Sequence, residues 1–144
     1  MTKFSNKKSL GQNFLTSESA AQKIAESADI KGRNVLEIGP GKGMLTKYLA
    51  EYAGKVLAIE IDQRLIESFR NNFKNIEIIN EDILKINLPR LIEENNFQNY
   101  KVVANLPYYI TSKIIRLFLE TKYPPREMIL MVQKEVGERI VALD

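Results

Sequence analysis

The sequence predicts an α/β fold, a mostly parallel sheet with helices on both faces that runs to about five strands. Three observations carry this. Short apolar runs alternate with amphipathic segments along the whole chain, the pattern of repeated strand–helix–strand units. The chain is 144 residues long, one domain by size, with no internal repeat and no low-complexity linker. Right-handed crossovers between parallel strands then leave few topologies.

The elements follow in order. Thr16 and Ser17 are N-cap candidates for a helix whose Ala20, Ala21, Ile24, Ala25 and Ala28 share one face, broken at Lys31-Gly32. Residues 35–38 read as the first strand, followed by Gly39-Pro40-Gly41-Lys42-Gly43 and a helix over 44–53 with Gly54 as its C-cap. The second strand is 56–61. Asp62 caps the next helix, on which Leu65, Ile66, Phe69 and Phe73 keep helical spacing. The third strand, 76–79, ends at Asn80-Glu81-Asp82. A short helical piece at 91–94 lies between Pro89 and the Asn95-Asn96 break. Residues 101–105 form the fourth strand, and Thr111 or Ser112 starts a helix carrying Ile114, Ile115, Phe118 and Leu119. Pro124-Pro125 stops it, 128–132 is the fifth strand, and 134–143 reads as a helix with no stop signal. That missing stop suggests a chain cut short, with 129–132 at an unprotected sheet edge.

Composition excludes much chemistry. With no Cys and no His there is no disulfide, thiolate nucleophile, Ser-His pair or ordinary zinc site, so no metal is expected. No run of about 18 apolar residues exists to span a membrane, and the N-terminal segment lacks a signal-peptide core, so a cytoplasmic location is the default. The net charge of +3 resides in Lys3, Lys7 and Lys8, the only charged residues before Glu18. Such a basic arm suits phosphate contact.

Gly39, Gly41 and Gly43 follow a strand and open a helix, where a nucleotide-like ligand meets the helix N-terminus. Met44 stands where the dinucleotide fingerprint needs glycine, and Lys42 precedes rather than follows Gly43, so neither phosphate motif is met. Glu60, about 20 residues on, can accept both hydroxyls of a ribose, which fits NAD and S-adenosylmethionine equally. Asp82 can accept from an adenine amine. Asn105-Leu106-Pro107-Tyr108 closes the fourth strand with an amide acceptor, a backbone fixed by proline and an aromatic face, a set suited to gripping a flat base. Read alone, it is equally an ordinary Pro-Tyr turn.

Together these blocks resemble a Rossmann-type methyltransferase. Gln12-Asn13-Phe14-Leu15 ahead of them and Met131-Val132-Gln133-Lys134-Glu135-Val136 behind narrow the resemblance to the ribosomal RNA adenine N6,N6-dimethyltransferases. The Asn-Leu-Pro-Tyr form and the Val-Gln-Lys-Glu-Val block look more like the small-subunit branch than the macrolide-resistance branch. The resemblance implies a class I fold dependent on S-adenosyl-L-methionine that dimethylates two adjacent adenines of small-subunit rRNA. It implies that residues 1–16 form a basic arm with part of the cofactor lid. Residues 17–144 would be the catalytic domain without its later strands and helical C-terminal domain. It further implies a monomer at full length and no membrane partner.

By the same resemblance, Asn13 and Leu15 close over the cofactor, Gly39 meets its amino-acid end, Glu60 holds the ribose and Asp82 holds the adenine, with Gly41, Ile61 and Ile83 also among the cofactor-binding residues. Asn105 lies between methyl donor and target base. Asn105 and the Leu106 carbonyl accept the two N–H bonds of an adenine N6 amine, Pro107 fixes that carbonyl, and Tyr108 stacks on the base. Lys3, Lys7, Lys8 and Tyr108 contact RNA. Phe14 and Tyr109 shape a pocket that admits one methyl or simply pack in the core. The rival readings are a large-subunit rRNA methyltransferase, a non-catalytic RNA-binding assembly factor of the same fold, a dinucleotide oxidoreductase and a DNA adenine methyltransferase.

Overall fold

The computed structural model describes residues 18–132 and 138. The expected caps Thr16 and Ser17 and the expected helix at 134–143 fall outside them, Glu138 apart. Five strands form one parallel sheet in the order β3-β2-β1-β4-β5. The strands are β1 (Asn34–Ile38), β2 (Lys55–Ile59), β3 (Glu77–Ile79), β4 (Lys101–Asn105) and β5 (Glu127–Met131). Between and before them lie α1 (Glu18–Ser27), α2 (Met44–Tyr52), α3 (Ile66–Asn72), α4 (Leu88–Glu94) and α5 (Thr111–Glu120).

Alternation along the strands sends side chains to two cores. Val35, Val56 and Val103 meet Ala21 and Ala25 of α1 and Leu45 and Leu49 of α2. Ala58 and Ile78 meet Ile66 and Phe69 of α3 beside them. On the opposite face Leu36, Leu57 and Val102 pack on Leu91 and Ile92 of α4 and on Ile114 and Phe118 of α5. The helices thus cover both faces, and β4 has the expected bounds.

Several boundaries differ from expectation, each for a local reason. β2 stops at Ile59 because the next two carbonyls, of Glu60 and Ile61, accept from the Asn80 side chain at 2.9 and 3.3 Å instead of continuing the ladder. α4 begins at Leu88 and takes Pro89 into its first turn, where no intrahelical N–H is needed; Asn87 caps it through Arg90 N. α5 ends at Glu120, before Pro124-Pro125, and its first residue Thr111 donates its hydroxyl to the Pro107 carbonyl rather than capping. Asp62 does cap, but a 3-10 turn at Gln63–Leu65 that leads into α3.

Gly54 is not a left-handed cap. Ala53, in extended backbone, terminates α2, and Gly54 is absent from the positive-φ residues. Its backbone instead passes so close to Gly32 that an added Cβ would lie 2.7 Å from the Gly32 carbonyl oxygen. Gly54→Ala and Gly54→Asn should therefore destabilise alike, by about 1–3 kcal/mol. Urea denaturation decides this, since a left-handed cap would spare Asn relative to Ala.

Candidate functional site

The strand order reverses between β1 and β4, because β2 and β3 extend to one side of β1 while β4 and β5 extend to the other. Ligands of open α/β sheets bind beyond the carboxyl ends of strands at that switch point. A cleft of about 250 Å³ opens there, lined by Gly39 and Gly41 after β1, Glu60 and Ile61 after β2, Asp82 and Ile83 after β3, and Asn105, Leu106 and Pro107 after β4. All four strand ends named by the sequence converge on it. An adjoining cleft of about 750 Å³ shares Gly39, Gly41 and Asn105 and continues past Glu37, Met44 and Phe73.

Glu60 organises the inner wall. It is 5% exposed, and its two oxygens accept from Gly41 N and Asp62 N, each at 3.0 Å. Each carboxylate oxygen has a second lone pair for a ligand hydroxyl. Burial raises its pKa, and the amides of Asp62 and Gly41 oppose that rise. The loop turns through left-handed backbone at Gly41 (φ 59°) and Gly43 (φ 87°). At Gly43 an added Cβ would also overlap the Phe73 ring, so the loop rests against α3's aromatic C-cap. α2 has no side-chain cap, so its first-turn amides face the larger cleft without one.

Asp82 accepts from Leu84 N at 3.0 Å, which folds the segment after β3 and leaves Ile61 (49% exposed) and Leu84 on the cleft wall. Opposite them, the loop after β4 is held on both sides. Leu106 N donates to the Met131 carbonyl at 3.1 Å, and the Pro107 carbonyl accepts from Ile110 N and the Thr111 hydroxyl at 3.3 and 3.1 Å. Pro107 has φ −59° and ψ 141°, and Tyr108 opens the 3-10 turn Tyr108–Ile110. Asn13, Leu15, Phe14, Lys3, Lys7 and Lys8 lie outside the described residues.

Sequence reading assigned no role to Glu37, Phe73, Asn80 or Lys113, all of which this geometry brings to the site or its supports. Glu37 is 1% exposed in β1 and accepts from the Thr46 hydroxyl at 2.6 Å. Burial pushes its pKa up to about 8, Thr46 opposing and nearby Glu60 adding to the rise. A lone acidic residue in an apolar strand was the available signal.

Geometry of this kind defines an α/β domain with a cleft at its switch point, bounded by the glycine loop on one side and the loop after β4 on the other. The ribosomal RNA adenine dimethylase family matches residues 3–143, and the chain belongs to that family. It is 50% identical over 146 residues to a ribosomal RNA small subunit methyltransferase A of Streptococcus agalactiae, covering 97% of this chain and 50% of that protein. A dimethyladenosine transferase of Plasmodium falciparum superposes with TM-score 0.77 at 32% identity, over 90% of this chain and 46% of that one. The 23S rRNA methyltransferase ErmE gives 0.70 at 35% identity, over 84% and 49%. The fold is the Rossmann-like fold of class I S-adenosylmethionine-dependent methyltransferases. The chain spans about half the length of the curated relatives it matches.

The Glu37 geometry has a pH consequence. Its folded pKa lies above the ordinary 4.5, so between about pH 4.5 and 8 the folded chain keeps a proton that the unfolded chain has released. Stability contributed by this group therefore falls as pH rises through that window. Glu37→Gln keeps an acceptor for Thr46 and should flatten the fall. Melting temperatures recorded across the window check this, and parallel curves for the two proteins would refute it.

Proposed function

We propose that the chain is the catalytic portion of an enzyme that transfers methyl groups from S-adenosylmethionine to N6 of adenines in small-subunit ribosomal RNA. The observation that carries this is the Asn105–Pro107 loop, which faces the Glu60–glycine-loop wall across one cleft. Membership of the family and about 50% identity to small-subunit enzymes support the substrate class.

The cleft suits this cofactor better than a dinucleotide. Among the described residues Glu60, Glu81 and Asp82 line it against a single cation, Lys113, which favours a net positive ligand over a diphosphate. Ile61, Ile83 and Leu84 offer apolar walls to a purine, with Asp82 beside them to accept from its amine. Glu60 would take the ribose hydroxyls, and the uncapped amides of α2 with Gly39 would meet the carboxylate. S-adenosylmethionine supplies an electrophilic methyl group when bound.

The chain's own residues then prepare the nucleophile. Adenine N6 is a poor one because its lone pair is delocalised into the ring. The Asn105 side-chain oxygen and the Leu106 carbonyl accept its two N–H bonds, which favours a pyramidal nitrogen with its lone pair directed at the donor. Pro107 and its two hydrogen bonds hold the direction of that loop. Tyr108 supplies the stacking face that the sequence implies. The target base leaves its stack to enter, and positioning supplies most of the acceleration. One proton leaves the nitrogen for each methyl added.

Mass spectrometry of small-subunit rRNA, incubated with the chain and methyl donor, should show dimethyladenine at two adjacent positions. Calorimetry should give binding of S-adenosylmethionine and none of NAD; the reverse would defeat the reading. Asn105→Ala should retain cofactor affinity and lower methyl incorporation by roughly 100-fold, the scale of losing one preorganised hydrogen-bond partner of the transition state. Near-normal turnover would remove Asn105 from the role.

A further inference from the structure

Tyr109 and Lys113 lie four residues apart, on the 3-10 turn and in the first turn of α5, and both line the cleft that holds Asn105 and Glu60. Tyr109 is 43% exposed, and Lys113 is exposed beside it. Among the described residues, Lys113 is the only cation that lines this cleft. Among the described residues no carboxylate pairs with it, whereas Arg116, one turn further along α5, meets Glu120 at 3.6 Å.

Its position does nothing for the helix. A cation in a first turn faces the positive end of the helix dipole, and α5 has no acidic residue there to offset it. An incoming phosphate would relieve that repulsion and gain from the helix end as well. The cleft interior is closed to phosphate by Glu60, Glu81 and Asp82. A strand that delivers a base to Asn105 must therefore place its backbone at the rim, and Lys113 is the positive charge that the described residues put there.

We propose that Lys113 binds a phosphodiester of the RNA strand next to the target adenosine, with the Tyr109 ring against the neighbouring nucleotide. The inference rests on the base-gripping reading of the Asn105 loop and extends it. Phosphate contacts position a strand without reading its sequence, so these residues act as positioning residues.

The test measures affinity of the chain, saturated with S-adenosylhomocysteine, for a short adenine-containing single-stranded RNA over a range of salt. Lys113→Gln should weaken binding and reduce the slope of log affinity against log salt by about 0.7, the value for one phosphate contact on a single strand. Lys113→Arg should restore both. Tyr109→Ala should weaken binding and leave the slope unchanged. Calorimetric affinity for S-adenosylhomocysteine should stay within about twofold in all three, since neither side chain holds the cofactor. A wild type that binds RNA while Lys113→Gln matches it in affinity and slope overturns this contact and leaves the base-gripping loop standing. A chain that binds the cofactor but no RNA overturns both.

Discussion

The hydrogen bonds of the Glu60 carboxylate are the constraint on which the cofactor half of the site depends. One oxygen ties the end of β2 to the glycine loop through Gly41 N, and the other ties it to the start of the next helical segment through Asp62 N. From β3, Asn80 then holds the carbonyls that Glu60 and Ile61 leave outside the ladder. Three strand ends are locked by one buried anion and one amide. A carboxylate this buried is costly unless its lone pairs are used, and backbone amides use them. Glu37, buried close by, avoids a second such cost by holding its proton, with Thr46 as its fixed donor.

The loop after β4 is positioned by a separate network. Leu106 depends on β5 through Met131, and Pro107 depends on α5 through Ile110 and Thr111. None of these groups touches Glu60 or the glycine loop through a hydrogen bond described above. The two halves adjoin at the switch point between β1 and β4. The two walls of the cleft are thereby supported by different hydrogen bonds.

Much of this was legible in the residues, and the failures share a cause. Short apolar runs between amphipathic segments located all five strands, and β4 was read to the residue because its apolar run ends at a polar Asn105 followed by proline. The strand ends that line the cleft were legible for the same reason, since polar residues there interrupt otherwise apolar strands. What escaped was set by partners distant in sequence. Asn80 shortens β2 from 20 residues away, and Gly32 dictates the glycine at 54 through a close approach that propensity cannot register. Glu37 drew no role of its own because its burial and its bond to Thr46 exist only after α2 folds over β1.

β5 is the last point at which fold and chemistry interact. Among the described strands it lies at the sheet edge, as expected, and its residues are only partly buried beyond Glu127. Edge strands expose unpaired backbone groups and are a recognised route to association. Here the same strand pairs in register with β4 from Lys101 to Asn105 and supplies the carbonyl that holds Leu106 N. The bond at Met131 is the outermost of that ladder and so the first to open when the edge frays. The order of β5 therefore bears on the loop after β4 through the hydrogen bond from Leu106 N to the Met131 carbonyl. On the reading proposed above, fraying of this edge would loosen the loop that holds the base.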